Sequence, residues 1–119
     1  MGPDHIQTGK KGEDLANKYL LEIGYEIIIR NWRYRRSEID IIAKHGEILV
    51  FVEVKTRSSS AFGEPESFVS SRKEWMMQEA AAAYMVEKNH YWEIRFDVIG
   101  ILFDANGTYE LKHYKDVFL

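Results

Sequence analysis

Ser37-Glu38-Ile39-Asp40, and beyond His45-Gly46 the run Phe51-Val52-Glu53-Val54-Lys55, form the stretch whose reading decides the fold. Isoleucine- and valine-rich segments on either side of a His-Gly pair have the composition of two antiparallel strands joined by a tight turn. Side chains alternate along a strand, so Glu53 and Lys55 share a face, roughly 7 Å apart along the chain. Glu38 and Asp40 likewise share a face of the preceding strand. With His45 and Gly46 as the two turn residues, Lys44 pairs with Glu47, Ile42 with Leu49, Asp40 with Phe51 and Glu38 with Glu53. Under that register Glu38, Asp40, Glu53 and Lys55 occupy one surface, with Asp40 diagonal to Glu53. A turn one residue longer or shorter would put them on opposite faces.

Carboxylates clustered on a sheet face repel one another and need partners when buried. A hard divalent cation with oxygen ligands removes the repulsion, which points to Mg²⁺, with Mn²⁺ as a substitute, held by Asp40 and Glu53. Such an ion clamps a phosphate oxygen and activates a bound water, and Lys55 beside it can neutralise developing charge. The plainer alternative is a solvated Glu53–Lys55 ion pair worth little. Ile48 to Val52 is apolar at both parities, however, and so reads as a strand covered on both faces.

Outward from this core, Leu15, Ala16, Tyr19, Leu20 and Ile23 follow helical spacing, predicting a helix from about Thr8 to Ile23 closed by Gly24. Glu13 falls at the edge of its apolar stripe, facing the sheet border. Tyr25 to Trp32 reads as a strand, as do Glu38 to Ala43 and Glu47 to Thr56. Ser58 to Ser71 is a polar loop, and Ser71 with Glu74 has capping-box spacing for a second helix running to about Lys88. Lys73 shares a stripe of that helix with Met76, Met77 and Ala80 and so is expected to point toward the site. Tyr91 to Phe103 and Tyr109 to Tyr114 close the chain as a hairpin around Asn106-Gly107. The order is α-β-β-β-α-β-β in a single domain over residues 1–119, an α/β fold with a central mixed sheet flanked by helices.

The 119 residues are 45% hydrophobic and 29% charged, ordinary globular composition. The chain has no cysteine, which excludes disulfides, thiolate zinc sites and cysteine nucleophiles and suits a reducing cytoplasm. Neither a signal peptide nor an apolar run of membrane-spanning length is present, so a cytoplasmic protein without a membrane partner is expected. A net charge of −3 argues against bulk electrostatic binding of nucleic acid. Yet Arg30, Arg33, Arg35 and Arg36 crowd one short segment, Lys10 and Lys11 precede the first helix, and Arg72 and Lys73 open the second. Arg33, Arg35, Arg36, Arg57 and Lys73 are therefore the candidate phosphate contacts. A solvated edge of snorkelling side chains explains the arginines equally well. Trp32 and Tyr34 read as packing residues rather than base-stacking platforms, and the four histidines as structural.

Taken together, Gly12-Glu13, Asn31-Trp32-Arg33, Glu38-Ile39-Asp40, Phe51 to Arg57, Phe62-Gly63 and Arg95-Phe96-Asp97 resemble the YraN family of bacterial proteins. That family is similar in turn to archaeal Holliday-junction resolvases and to the PD-(D/E)XK nuclease superfamily with its restriction-endonuclease-like core. The likeness covers nearly the whole chain, departing at Ser37 where many relatives have glycine. It implies Glu13 as a helix-borne acid, Asp40 and Glu53 as metal ligands and Lys55 as the catalytic lysine of a Mg²⁺-dependent endonuclease acting on branched or structured DNA. Resolving a symmetric junction would call for a homodimer. Two alternatives belong to other classes: a non-catalytic nucleic-acid-binding module, and an interaction protein that pairs through an exposed hairpin edge.

Overall fold

The computed structural model describes residues 3–58 and 70–118. Its elements follow the expected order: α1 (Pro3–Glu22), β1 (Glu26–Tyr34), β2 (Ser37–His45), β3 (Ile48–Arg57), α2 (Ser71–Glu87), β4 (Ile94–Phe103) and β5 (Tyr109–Tyr114). The strands lie in sequence order in one sheet, antiparallel except that β3 and β4 run parallel. The β3–β4 crossover carries α2, as a parallel connection requires. Successive residues of the central strands separate two cores. Ala16 and Leu20 of α1 cover Ile41, Ala43, Val50 and Val52, whereas Met77, Ala80 and Tyr84 of α2 cover Ile42, Leu49 and Phe51. This two-sided burial is why β3 lacks polar alternation over its first half.

Several boundaries differ from the sequence reading. Helix α1 begins at Pro3, a residue suited to a first helical turn, so Lys10 and Lys11 lie within the helix rather than before it. Its end is as expected: Gly24 takes φ +95°, Gly24 N–H donates to Leu21 O at 3.1 Å and Tyr25 N–H to Leu20 O at 2.9 Å, a Schellman motif. The cap of α2 is Ser70, whose side chain accepts from Lys73 N–H at 3.1 Å, one residue before the predicted Ser71. The β4 strand starts at Ile94 rather than Tyr91. Of the predicted loop, the central part with Phe62, Gly63 and Pro65 lies outside the described residues.

The decisive turn also moves. Ladder partners are His45 with Ile48, Lys44 with Leu49, Ala43 with Val50, Ile42 with Phe51 and Ile41 with Val52, so Gly46 and Glu47 form the turn. Gly46 supplies φ +62° at the first central position, the hand a two-residue hairpin favours. Both strands shift by one residue in opposite senses, so pairing changes by two positions and the parity of the faces survives. Asp40, expected opposite Phe51, now stands level with Glu53.

Helix α1 meets β3 at a bare contact. A β-carbon on the buried Gly12 would collide with Thr56 Oγ1, so glycine lets the helix approach there. Gly12→Ala should destabilise the protein by about 1–3 kcal/mol through overpacking. Denaturant titration of Gly12→Ala, Thr56→Ala and the double variant checks this, since relief of the clash requires the double variant to be more stable than the sum of the singles predicts.

Candidate active site

The β2–β3 ladder stops at Ile41 and Val52, while β1–β2 pairing continues to Tyr34 with Ser37 and β3–β4 pairing to Arg57 with Leu102. Beyond Asp40 and Glu53 the sheet therefore forks. In the gap, Val54 N–H donates to the carboxylate Oδ2 of Asp40 at 2.8 Å, replacing a backbone ladder bond by a side-chain one. Alternation along β2 slips at this point: Ile39 and Ile42 both pack in the α2 core, with Ile41 in the α1 core. The expected single face holding Glu38, Asp40, Glu53 and Lys55 is thus broken. Glu38 turns to its cross-strand partner Arg33, at 3.2 Å, and stands outside the site.

Glu53 is buried, its side chain 4% exposed, and its Oε2 lies 3.5 Å from Lys55 Nζ and 3.6 Å from Lys73 Nζ. The second amine comes from the first turn of α2, which Ser70 caps. Glu53 Oε1 has no hydrogen-bond partner. Burial and the adjacent Glu53 charge push the Asp40 pKa up to about 7, against a pull downward from the Val54 N–H. A buried carboxylate with one orphaned oxygen beside a half-buried one suits a hard cation completed by water, the usual habit of Mg²⁺ with one or two carboxylates. Among the described residues no group of three His, Cys, Asp or Glu side chains is gathered for a metal ion. The donors present fit a two-carboxylate site and no closed cage.

Glu13 approaches from α1. Burial raises its pKa, an effect opposed by the hydrogen bond from Asn31 and reinforced by the charge of Asp40. Asn31 Nδ2 donates to Glu13 Oε1 at 3.0 Å. Asn31 lies in the middle of β1, between the pairs Arg30–Ile41 and Trp32–Ile39 and hence level with Asp40, and it adopts φ +53°. A left-handed residue inside a strand flips the side-chain phase of β1 just where β2 slips, so that Arg30 meets Asp14 of α1 at 2.8 Å while Trp32 packs edge-on against Tyr84 of α2. Sequence reasoning assigned Asn31 no role. The signal was an asparagine within an isoleucine-rich strand, where that residue is depleted and where it tolerates the left-handed region best. Asn31→Gly should therefore be more stable than Asn31→Ala by about 1 kcal/mol, the reverse of an ordinary strand position, as read from denaturant midpoints.

The remaining candidates are dispersed. Arg35 and Arg36 form the tip of the β1–β2 hairpin, Arg35 at φ +56°, with its guanidinium over the Tyr34 ring and 3.9 Å from Glu79. Arg57 is exposed at the end of β3. Lys73, expected as a phosphate contact, is held against Glu53 inside the site. Trp32 and Tyr34 pack as expected, stacked on each other at 6.3 Å. Asp97 is fully buried and anchors Arg95, His113 and the backbone of Asp116. His90 contacts Glu93 O at 3.0 Å, and His45 stacks on Tyr25.

The element order, mixed sheet and flanking helices are those of the restriction-endonuclease-like core. Residues 12–101 match the uncharacterised protein family UPF0102, and the chain belongs to that family, the one its YraN-like motifs indicated. Similar members are a UPF0102 protein of Christiangramia forsetii, 43% identical over 97% of this chain and 96% of its own length, and one of Chlorobium limicola, 43% identical over 99% and 96%. A Rhodococcus opacus member is 41% identical over 96% of this chain and 98% of its own. Among solved structures, Pyrococcus furiosus SfsA in complex with Ca²⁺ aligns with a TM-score of 0.40 at 13% identity, covering 92% of this chain and 63% of that one. Among the described residues no helix is long and apolar enough to cross a membrane.

Proposed function

We propose that this protein is a Mg²⁺-dependent endonuclease that hydrolyses phosphodiester bonds in structured or branched DNA. The observation that carries this reading is the buried Glu53 carboxylate at the fork of the sheet, beside Asp40 and under two lysine amines. A domain that only binds DNA has no use for buried carboxylates, which repel a phosphate backbone and destabilise the fold that holds them. Asp40 and Glu53 would hold the ion, which supplies positive charge to a phosphate oxygen and acidifies a water.

The chain's own groups do the rest. Val54 N–H fixes the Asp40 carboxylate in the gap between strands. Lys55, on the same face of β3 as Glu53, donates to the charge that builds on the phosphoryl oxygens as water adds its hydroxide to phosphorus and the deoxyribose oxygen leaves and takes up a proton. Lys73 offers a second amine to the same region, and Glu13, held by Asn31, borders it from α1. A homodimer accompanies this reading where a symmetric junction is cut on both strands.

The test is cleavage of labelled four-way junctions and flaps with Mg²⁺ or Mn²⁺. Lys55→Ala should slow cutting at least 100-fold while DNA binding in EDTA persists, because the loss falls on transition-state charge. Activity surviving in both Lys55→Ala and Asp40→Ala removes the site assignment. DNA binding without cleavage by the unaltered protein, dependent on Arg33, Arg35 or Arg36 and indifferent to Asp40, establishes the non-catalytic module instead.

A further inference from the structure

The β1–β2 hairpin tip and the outer face of α2 enclose a groove of about 370 Å³, at the small end of ligand sites. Arg35 and Arg36 line it from the hairpin; Arg72, Trp75 and Met76 line it from the helix. Trp75 is 62% exposed, the indole turned away from the core that Met77, Ala80, Ala81 and Tyr84 fill. Arg72 and Glu79 sit one turn before and after it, the spacing that puts side chains side by side. Among the described residues Glu79 is the sole acid on the lining, and Arg35 lies 3.9 Å from it, so these residues give the groove an excess of guanidinium charge in a protein of net charge −3. The elements that wall the groove also carry the site. Lys73, between Arg72 and Trp75 in sequence, reaches Glu53, and Ser37 on the groove wall begins the strand that carries Asp40.

We infer that this groove binds an unpaired nucleotide of the DNA substrate, its base stacked on Trp75 and its flanking phosphates on Arg35, Arg36 and Arg72. Resting on the nuclease reading, this narrows the substrate to DNA with a single-stranded stretch, such as a flap, gap or opened junction, beside the scissile bond. An aromatic face ringed by guanidinium groups is the chemistry of single-strand recognition, since every base offers a π-face and the arginines follow the backbone. Intact duplex hides its base faces and can use only the charge.

The experiment is fluorescence polarisation with labelled single-stranded, flap and blunt-duplex oligonucleotides in EDTA, where no strand is cut. The unaltered protein should prefer single strand and flap to blunt duplex by about tenfold or more. Trp75→Ala should erase that preference by weakening the first two about tenfold and leaving duplex binding unchanged. Trp75→Phe should keep the affinity yet lose the quenching of tryptophan emission that the single strand causes, a readout that also serves if Trp75→Ala does not fold. Arg72→Gln should flatten the salt dependence of single-strand binding. Equal affinity for duplex and single strand, or single-strand binding untouched by Trp75→Ala, overturns the inference, as does a Trp75-dependent dimer that excludes the oligonucleotide. Because binding is read in EDTA and cutting in the separate junction and flap assay, Trp75-dependent binding without cleavage in that assay would remove the nuclease reading alone. Cleavage without strand preference would remove the groove alone.

Discussion

Asp40→Asn will abolish cleavage, by at least a thousandfold, and will raise the melting temperature of the metal-free protein above pH 7. Loss of activity with gain of stability is the mark of a group kept at a cost to the fold. In the metal-free protein the Asp40 pKa stands near 7, against an ordinary value near 3.8, because burial and the charge of Glu53 disfavour its ionised form. The folded state therefore holds this proton more tightly than the unfolded chain. Whatever stability the protonated carboxyl allows is fully present below about pH 4 and is lost as pH rises toward 7. At roughly 1.4 kcal/mol per pH unit, the loss amounts to a few kcal/mol above pH 7. Asparagine keeps an oxygen for Val54 N–H and carries no charge, so it removes the penalty without opening the fork. Melting curves in EDTA at pH 5 and pH 8 should show the unaltered protein weaker at the higher pH, with most of the difference gone in Asp40→Asn and a smaller remainder of the same sign left by the raised pKa of Glu13. Mg²⁺ or Mn²⁺ should restore stability at pH 8 in the unaltered protein alone. A melting temperature indifferent to pH, or lowered by the asparagine, would contradict this account of the acid pair.

Asp97→Ala has the opposite character and should cost about 3–5 kcal/mol, enough to lower the melting temperature by on the order of 10–20 °C. Asp97 Oδ1 accepts from Arg95 Nε at 2.8 Å and from Asp116 N–H at 3.1 Å. Its Oδ2 accepts from Arg95 at 2.9 Å and lies 2.7 Å from His113 Nε2. The network continues through Tyr19 on His113 Nδ1 and Tyr25 on Arg95. Burial alone would raise the pKa of Asp97; hydrogen bonds from His113 and Arg95 more than offset it, and the pKa lies below the ordinary carboxylate range. The stability this carboxylate contributes is present above the unfolded pKa and is lost as pH falls through the depressed folded one. Removing it strands the Arg95 guanidinium, 13% exposed, without its ion partner and releases the turn at Asp116 that precedes Val117 and Phe118 on Phe96. Thermal denaturation should show the loss undiminished at pH 8, where Asp40 is weakest. A cost below 1 kcal/mol would mean that the network contributes little to the fold.

Much of this architecture was legible in the chain. Helical spacing around Leu20, Gly24 at the helix end, the isoleucine- and valine-rich strands and the double-sided apolar run before Glu53 each rest on local chemistry, and each formed in the expected order with its ends moved by one to a few residues. The meeting of Asp40 with Glu53 was legible for a subtler reason. Side chains in a hairpin repeat every two residues, so moving the turn from His45-Gly46 to Gly46-Glu47 changed every partner and no face. The turn itself was misplaced because Gly46 serves best as the first central residue, where a positive φ is needed.

Other features were decided by tertiary structure alone. Nothing local says that β2 and β3 part company after Ile41 or that Asn31 turns left-handed to rephase its strand, and although the helix stripe pointed Lys73 toward the site, nothing local says that its amine shares Glu53 with Lys55. Those depend on two helices packing on opposite sides of a forked sheet and bringing residues distant along the chain to one gap. Sequence by itself determined which residue types were available and, away from the slip at Asp40 and the left-handed Asn31, on which side of each strand they fell. Only the packed molecule could set the distances and the dielectric between them, because burial and neighbouring charge are properties of the assembled core and not of any one segment.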